Sequence, residues 1–112
     1  MINSALTFDR LRTQNVPRSL IAFNHALEDW SECEWGCAVG GEVGELLNKL
    51  KKRLRKDDPN ASQSTLKDVA DEMADVIIYL DLLAAKMNVD LGQAVINKFN
   101  QTSDKRGCTI KL

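Results

Sequence analysis

Leu66-Lys67-Asp68-Val69-Ala70-Asp71-Glu72-Met73-Ala74-Asp75-Val76-Ile77-Ile78-Tyr79-Leu80-Asp81-Leu82-Leu83-Ala84-Ala85-Lys86-Met87 reads as one amphipathic helix. Leu66, Val69, Met73, Val76, Leu80, Leu83 and Met87 follow one another at spacings of three and four without a slip. That period puts them on one stripe, the seam by which a helix joins a bundle. Ser64 or Thr65 stands where an N-cap is needed, and Asn88 is a stop.

The flanking sequence punctuates into further helices. Ser31 followed by Glu34 is a capping box, which predicts a helix from Glu32 to Arg55 that ends in basic residues complementing its dipole. Upstream, Thr7 caps a short helix over Phe8–Gln14, and Pro17 suits the first turn of a second piece, Arg18–Asp29. Residues 57–63 form a polar loop rich in breakers. Asp90 with Gln93 opens a last helix running to Ser103; Gly107 ends regular structure and leaves the tail unassigned. The expected fold is all-α, an antiparallel bundle of about four helices completed by dimerisation. At 112 residues the chain has room for one domain, 1–112, with 1–30 as an N-terminal helical segment and 104–112 as a tail.

Composition narrows the function. A hydrophobic fraction of 44% supports a core, so a disordered chain is not expected. The formal net charge of −1 argues against a nucleic-acid binder working through a bulk positive field. No apolar run approaches the roughly 20 residues that span a bilayer, and the N-terminus lacks the pattern of a secretory signal. The expected location is the cytoplasm, with no membrane partner. Cys33, Cys37 and Cys108 have no framework spacing and are expected as reduced, packed thiols rather than, with His25, as a zinc site.

Two helices carry matching acids. Gly41-Glu42-Val43-Gly44-Glu45-Leu46 and Asp71-Glu72-Met73-Ala74-Asp75-Val76 share the order acid, apolar, small, acid, apolar. At about 100° per residue, Glu42 and Glu72 lie near −40° from the centre of their helix's apolar stripe, and Glu45 and Asp75 near −100°. On this wheel Trp35, Val39, Val43, Leu50 and Leu54 join Leu46 in the buried arc. If the helices pack antiparallel, both acid flanks converge on one pocket. Four carboxylates there repel and pay for desolvation, and a divalent cation resolves both problems. Oxygen-only ligands select a hard ion, Mg²⁺ or Mn²⁺, which substrate phosphates commonly complete.

These two acid pairs resemble the paired motif of the MazG-like nucleoside triphosphate pyrophosphohydrolases, within the all-α NTP pyrophosphatases: E-x-x-E, an insert, then E-x-x-D. Asn97-Lys98-Phe99-Asn100 with Ser103, Lys105 and Arg106 also resembles the family's C-terminal polar and basic stretch. The resemblance covers about Trp35 to Gly107. It implies a helical bundle, usually a homodimer or homotetramer, and Mg²⁺-dependent cleavage of an NTP or dNTP between the α and β phosphates to NMP and pyrophosphate. It further implies Glu42, Glu45, Glu72 and Asp75 as metal ligands and catalytic acids, and Lys98 and Asn100 as substrate contacts.

Other residues carry weaker signals. Lys49 falls between Glu42 and Glu45 on the wheel and is a candidate for triphosphate binding, although the basic run 49–56 also suits a solvated helix end. Tyr79 shares the acid flank, and Trp30 is placed to stack on a base. Trp35 is expected in the core and His25 as a partly exposed structural residue. Gly36, Gly40 and Gly44 each cost a helix about 1 kcal/mol relative to Ala, so close approach of another helix is expected there. No phosphate-binding G-x-x-x-x-G-K-[ST] loop is present. A carboxylate-bridged di-iron bundle needs two Glu-x-x-His motifs, and the single His cannot supply them. The alternative to the enzyme is a non-enzymatic helical module that dimerises or binds a partner.

Overall fold

A computed structural model describes residues 5–55 and 64–112. Among them all regular structure is helical: α1 (Phe8–Phe23), a 3-10 turn (Leu27–Asp29), α2 (Glu32–Leu54), α3 (Leu66–Lys86) and α4 (Leu91–Lys105). The all-α bundle expected from the sequence is what forms. The predicted polar loop 57–63 lies outside the described residues.

The helices start and stop where local chemistry directs. Side-chain oxygens of Thr7, Ser31, Thr65 and Asp90 accept the amide hydrogen three residues on, at 3.0–3.1 Å. Asp68 closes its box by accepting the Thr65 amide at 2.8 Å. The ends of α1, α3 and α4 share one device. Asn24, Asn88 and Gly107 adopt left-handed backbone (φ 52°, 58° and 65°). The next amide then donates back to the last turn: His25 to Ser19 O, Val89 to Ala84 O, Cys108 to Ser103 O.

The N-terminal segment differs from expectation. The two short helices are one, α1, which runs through Pro17, and Leu27–Asp29 is a 3-10 turn. Proline removes one hydrogen bond to the preceding turn, but Pro17 and Thr13 both lie on the exposed side, where a freed carbonyl costs least.

The α2 and α3 helices form an antiparallel hairpin. Arg53 donates to Ser64 O (3.3 Å), Lys49 faces the Asp68 carboxylate, Glu42 meets Asp75, and Trp35 shares a cavity wall with Leu82. Partner numbers rise along one helix as they fall along the other. Next, α1 crosses α3 and is tied to it by a buried clamp: Arg12 Nε donates to Asp81 Oδ1 (2.9 Å), and Asn15 Nδ2 donates to Asp81 Oδ2 (3.1 Å) and Ile78 O (2.9 Å). Asp81 is fully buried. Finally, α4 leans on α1 through Gly92, where a Cβ would come within 3.3 Å of Phe8. The tail returns along α4, with Leu112 N–H donating to Asn100 Oδ1 (2.8 Å) and the Asn100 amide donating to Leu112 O.

The apolar seams are only partly closed. Trp35, Val69, Leu82 and Ala84 are the buried hydrophobic residues, while Val43, Leu50, Leu54, Leu66, Met73 and Met87 stay exposed. The sequence pattern marks a stripe as apolar but does not say what covers it, and here the neighbouring helices leave part of each stripe open. No helix among the described residues is long and apolar enough to cross a membrane.

Candidate functional site

The hairpin's register sets the candidate site. Because Glu42 stands opposite Asp75, the acid flanks of α2 and α3 meet. Glu42, Glu72 and Asp75 each offer a carboxylate oxygen, and the three oxygens lie within 4.8 Å of one another, all on half-buried residues. Glu45, one turn further along α2, is exposed and outside this triad. The angular offset alone does not account for the split, because Asp75 lies at the same −100° on α3 and belongs to the triad.

Burial raises the Glu42 carboxyl above its ordinary value, and the charges of Asp75, Glu72 and Glu45 push it further the same way. A raised carboxyl keeps its proton in the folded state at pH values where the unfolded chain has lost it. The metal-free fold therefore loses stability as pH climbs from the ordinary carboxylate range through the raised value. Glu42→Gln is expected to flatten that part of the pH–Tm curve and to raise the metal-free Tm at neutral pH, measured by thermal unfolding in EDTA.

Beside the triad opens a cavity of about 200 Å³, bounded by Glu42 and Asp75 and walled by Tyr79, Trp35, His25 and Arg18. Its aromatic wall is built from rings in mutual contact. His25 stacks on Trp35 (centroids 4.7 Å apart, 22° between planes), and Trp30 meets both rings edge-on at 4.1 and 4.8 Å. Trp35 is wholly buried and donates Nε1–H to Leu27 O (3.0 Å). The cavity thus joins a flat π-rich wall to an acidic end, with the Arg18 cation at its rim.

Not every predicted residue gathers here. Tyr79 does. Trp30 packs behind His25 and Trp35 instead of lining the cavity. Lys49 lies along the hairpin towards Asp68, two helical turns from Glu42. Lys98 lies on α4 along a shallow apolar groove, and the Asn100 amide is engaged by Leu112, so neither is brought to the triad. Conversely, Arg18 and His25 join the cavity unforeseen, because α1's angle of approach is a tertiary outcome. A helix continuous through Pro17 would have been the signal for Arg18.

No protein-family model matches the chain. Over 68 residues it is 37% identical to Gene 37 protein of Mycobacterium phage L5. The match covers 58% of this chain and 60% of that protein, so this chain spans about three fifths of the relative's length. No solved structure matches.

Proposed function

We propose that this chain is a MazG-like, divalent-metal-dependent nucleotide pyrophosphohydrolase, cleaving an NTP or dNTP to NMP and pyrophosphate. The observation that carries the reading is the meeting of Glu42, Glu72 and Asp75 beside an aromatic-walled cavity. The donor set fits a hard ion, Mg²⁺ with Mn²⁺ as substitute. It is all carboxylate oxygen, and the like charges that raise the Glu42 carboxyl need a counter-charge. Such an ion, when bound, would supply charge neutralisation and polarise a phosphate oxygen.

The chain's own residues do the remainder. Tyr79 and His25, the latter backed by the buried Trp35, receive the base by stacking. Arg18 offers a guanidinium to the phosphates, and Lys49 adds a second cation along the hairpin. Water attacks the α-phosphorus, the bond from that phosphorus to the bridging oxygen breaks, and pyrophosphate leaves with the bridging oxygen. Glu45, outside the triad, is the acid free to take the water's proton. Glu45→Gln is therefore expected to lower kcat by about 10²-fold with little change in Mn²⁺ affinity. Isothermal titration and steady-state rates on the same variant check this. The cytoplasm remains the location proposed with this reading.

The test is a panel of NTPs and dNTPs with Mg²⁺ or Mn²⁺, scored for pyrophosphate against orthophosphate. Pyrophosphate as first product supports the reading; orthophosphate as first product contradicts it. The second reading, a non-enzymatic dimerising or partner-binding module, is favoured by the open apolar faces and predicts no turnover on any nucleotide.

A further inference from the structure

We infer that the cavity selects a nucleobase carrying an exocyclic amino group, read by Asn15 and Ser19 of α1; the inference rests on the nucleotide reading above. Asn15 is 3% exposed and walls the cavity. Its Nδ2 donates to Ile78 O (2.9 Å) and to Asp81 Oδ2 (3.1 Å), which uses both amide hydrogens. Both partners are acceptors, so the amide cannot be turned over, and its Oδ1 is fixed as an acceptor. Among the described residues nothing donates to that oxygen. Nor is it sealed in, because the buried side-chain atom left without a partner among the described residues is Ser64 Oγ. Asn15 borders two hollows. The smaller, about 110 Å³, is lined almost wholly by apolar atoms, so the free oxygen belongs to the site cavity.

Ser19 supplies a second acceptor. It is buried, walls the same cavity, and stands one turn after Asn15 on α1. Its hydroxyl donates to His25 O at 2.9 Å, so it offers the cavity lone pairs only. Side chains four apart on a helix stand about 5–6 Å apart at Cβ. One amino nitrogen whose two hydrogens reach acceptors at about 2.9 Å needs those acceptors roughly 5 Å apart.

Adenine, cytosine and guanine carry such an amino group. Uracil, thymine and hypoxanthine do not. Each of these offers a ring N–H beside a carbonyl, which would set an oxygen lone pair against the second acceptor. A buried acceptor facing a carbonyl loses its water and gains no donor, so the deaminated base is rejected. The donors of the wall do not reverse this. Arg18 is given to the phosphates in the catalytic reading, and the Tyr79 hydroxyl turns to suit either base.

Binding of mononucleotides to the whole chain with Mg²⁺, followed by tryptophan fluorescence, tests the inference in pairs that differ by the amino group. CMP is set against UMP, and AMP and GMP against IMP. In at least one pair the amino-bearing member is expected to bind at least about tenfold more tightly than its deaminated partner, and in none the reverse. Equal affinity within every pair, tighter binding of UMP or IMP, or no binding by any nucleotide overturns the inference. Asn15→Leu is expected to bring the ratio within the selective pair close to unity. A role confined to holding α1 on α3 would weaken both members alike and leave the ratio standing, which overturns the part given to Asn15. Should that variant fail to fold, the wild-type pairs decide without it. Failure here is separable from failure of the hydrolase reading. Equal turnover of CTP and UTP, and of ATP and ITP, to pyrophosphate keeps that reading and overturns this one. Selective mononucleotide binding with no pyrophosphate released from any triphosphate does the reverse.

Discussion

In a nucleotide hydrolysis assay with Mg²⁺, Asp75→Asn is expected to lose on the order of 10³-fold in kcat, about 4 kcal/mol of transition-state stabilisation. The substitution keeps the shape of the side chain and removes its charge. Asp75 carries two duties: its oxygen belongs to the triad, and it bounds the cavity from α3. The fold should survive, because Asp75 is half-buried and removing one of several mutually repelling carboxylates relieves strain in the metal-free chain. Loss of turnover with an unchanged or higher metal-free Tm separates this effect from unfolding. Equal loss in kcat and kcat/KM would assign the interaction to the transition state.

The second large effect lies away from the site, at the clamp between α1 and α3. Arg12→Met is expected to cost about 3 kcal/mol in urea unfolding, a fall in Tm on the order of 10–20 °C. The two partners are not equivalent. The Arg12 side chain is 29% exposed and its Nη2 donates to Val89 O at 3.0 Å, whereas the Asp81 side chain is almost wholly buried. Removing the arginine leaves a buried carboxylate with the Asn15 amide as its remaining partner; removing the aspartate leaves a cation that can still reach water. Asp81→Leu should therefore cost less than Arg12→Met. The double variant should recover part of the loss, since an apolar pair of similar volume replaces a buried ion pair at little cost. Because α1 carries Arg18 to the cavity, Arg12→Met should also weaken nucleotide binding.

The sequence made some of this legible and hid the rest for physical reasons. Helix starts were readable because Ser31, Thr65 and Asp90 act within three residues of themselves. The acid convergence was readable because two helices share one angular offset, and an antiparallel pair turns equal offsets to one side. Glu45 lay beyond that argument: it shares its offset with Asp75, yet Asp75 meets the other acids and Glu45 stays exposed, a difference a wheel does not carry. The Arg12–Asp81 clamp was hidden because Asp81 sits off the apolar seam, and α1's placement depends on contacts 69 residues apart in sequence. Trp30 and Asn100 were read as available, yet neighbours invisible to periodicity, His25 for one and the returning tail for the other, engage them.

Metal binding by the triad is the claim from which the proposed function follows. It is measured most directly by titrating metal-free protein with Mn²⁺ and following the free ion by electron paramagnetic resonance. The account predicts saturable binding of at least one ion per chain in the wild type, lost in both Glu72→Gln and Asp75→Asn. No saturable binding in the wild type, or undiminished binding in both variants, would contradict it.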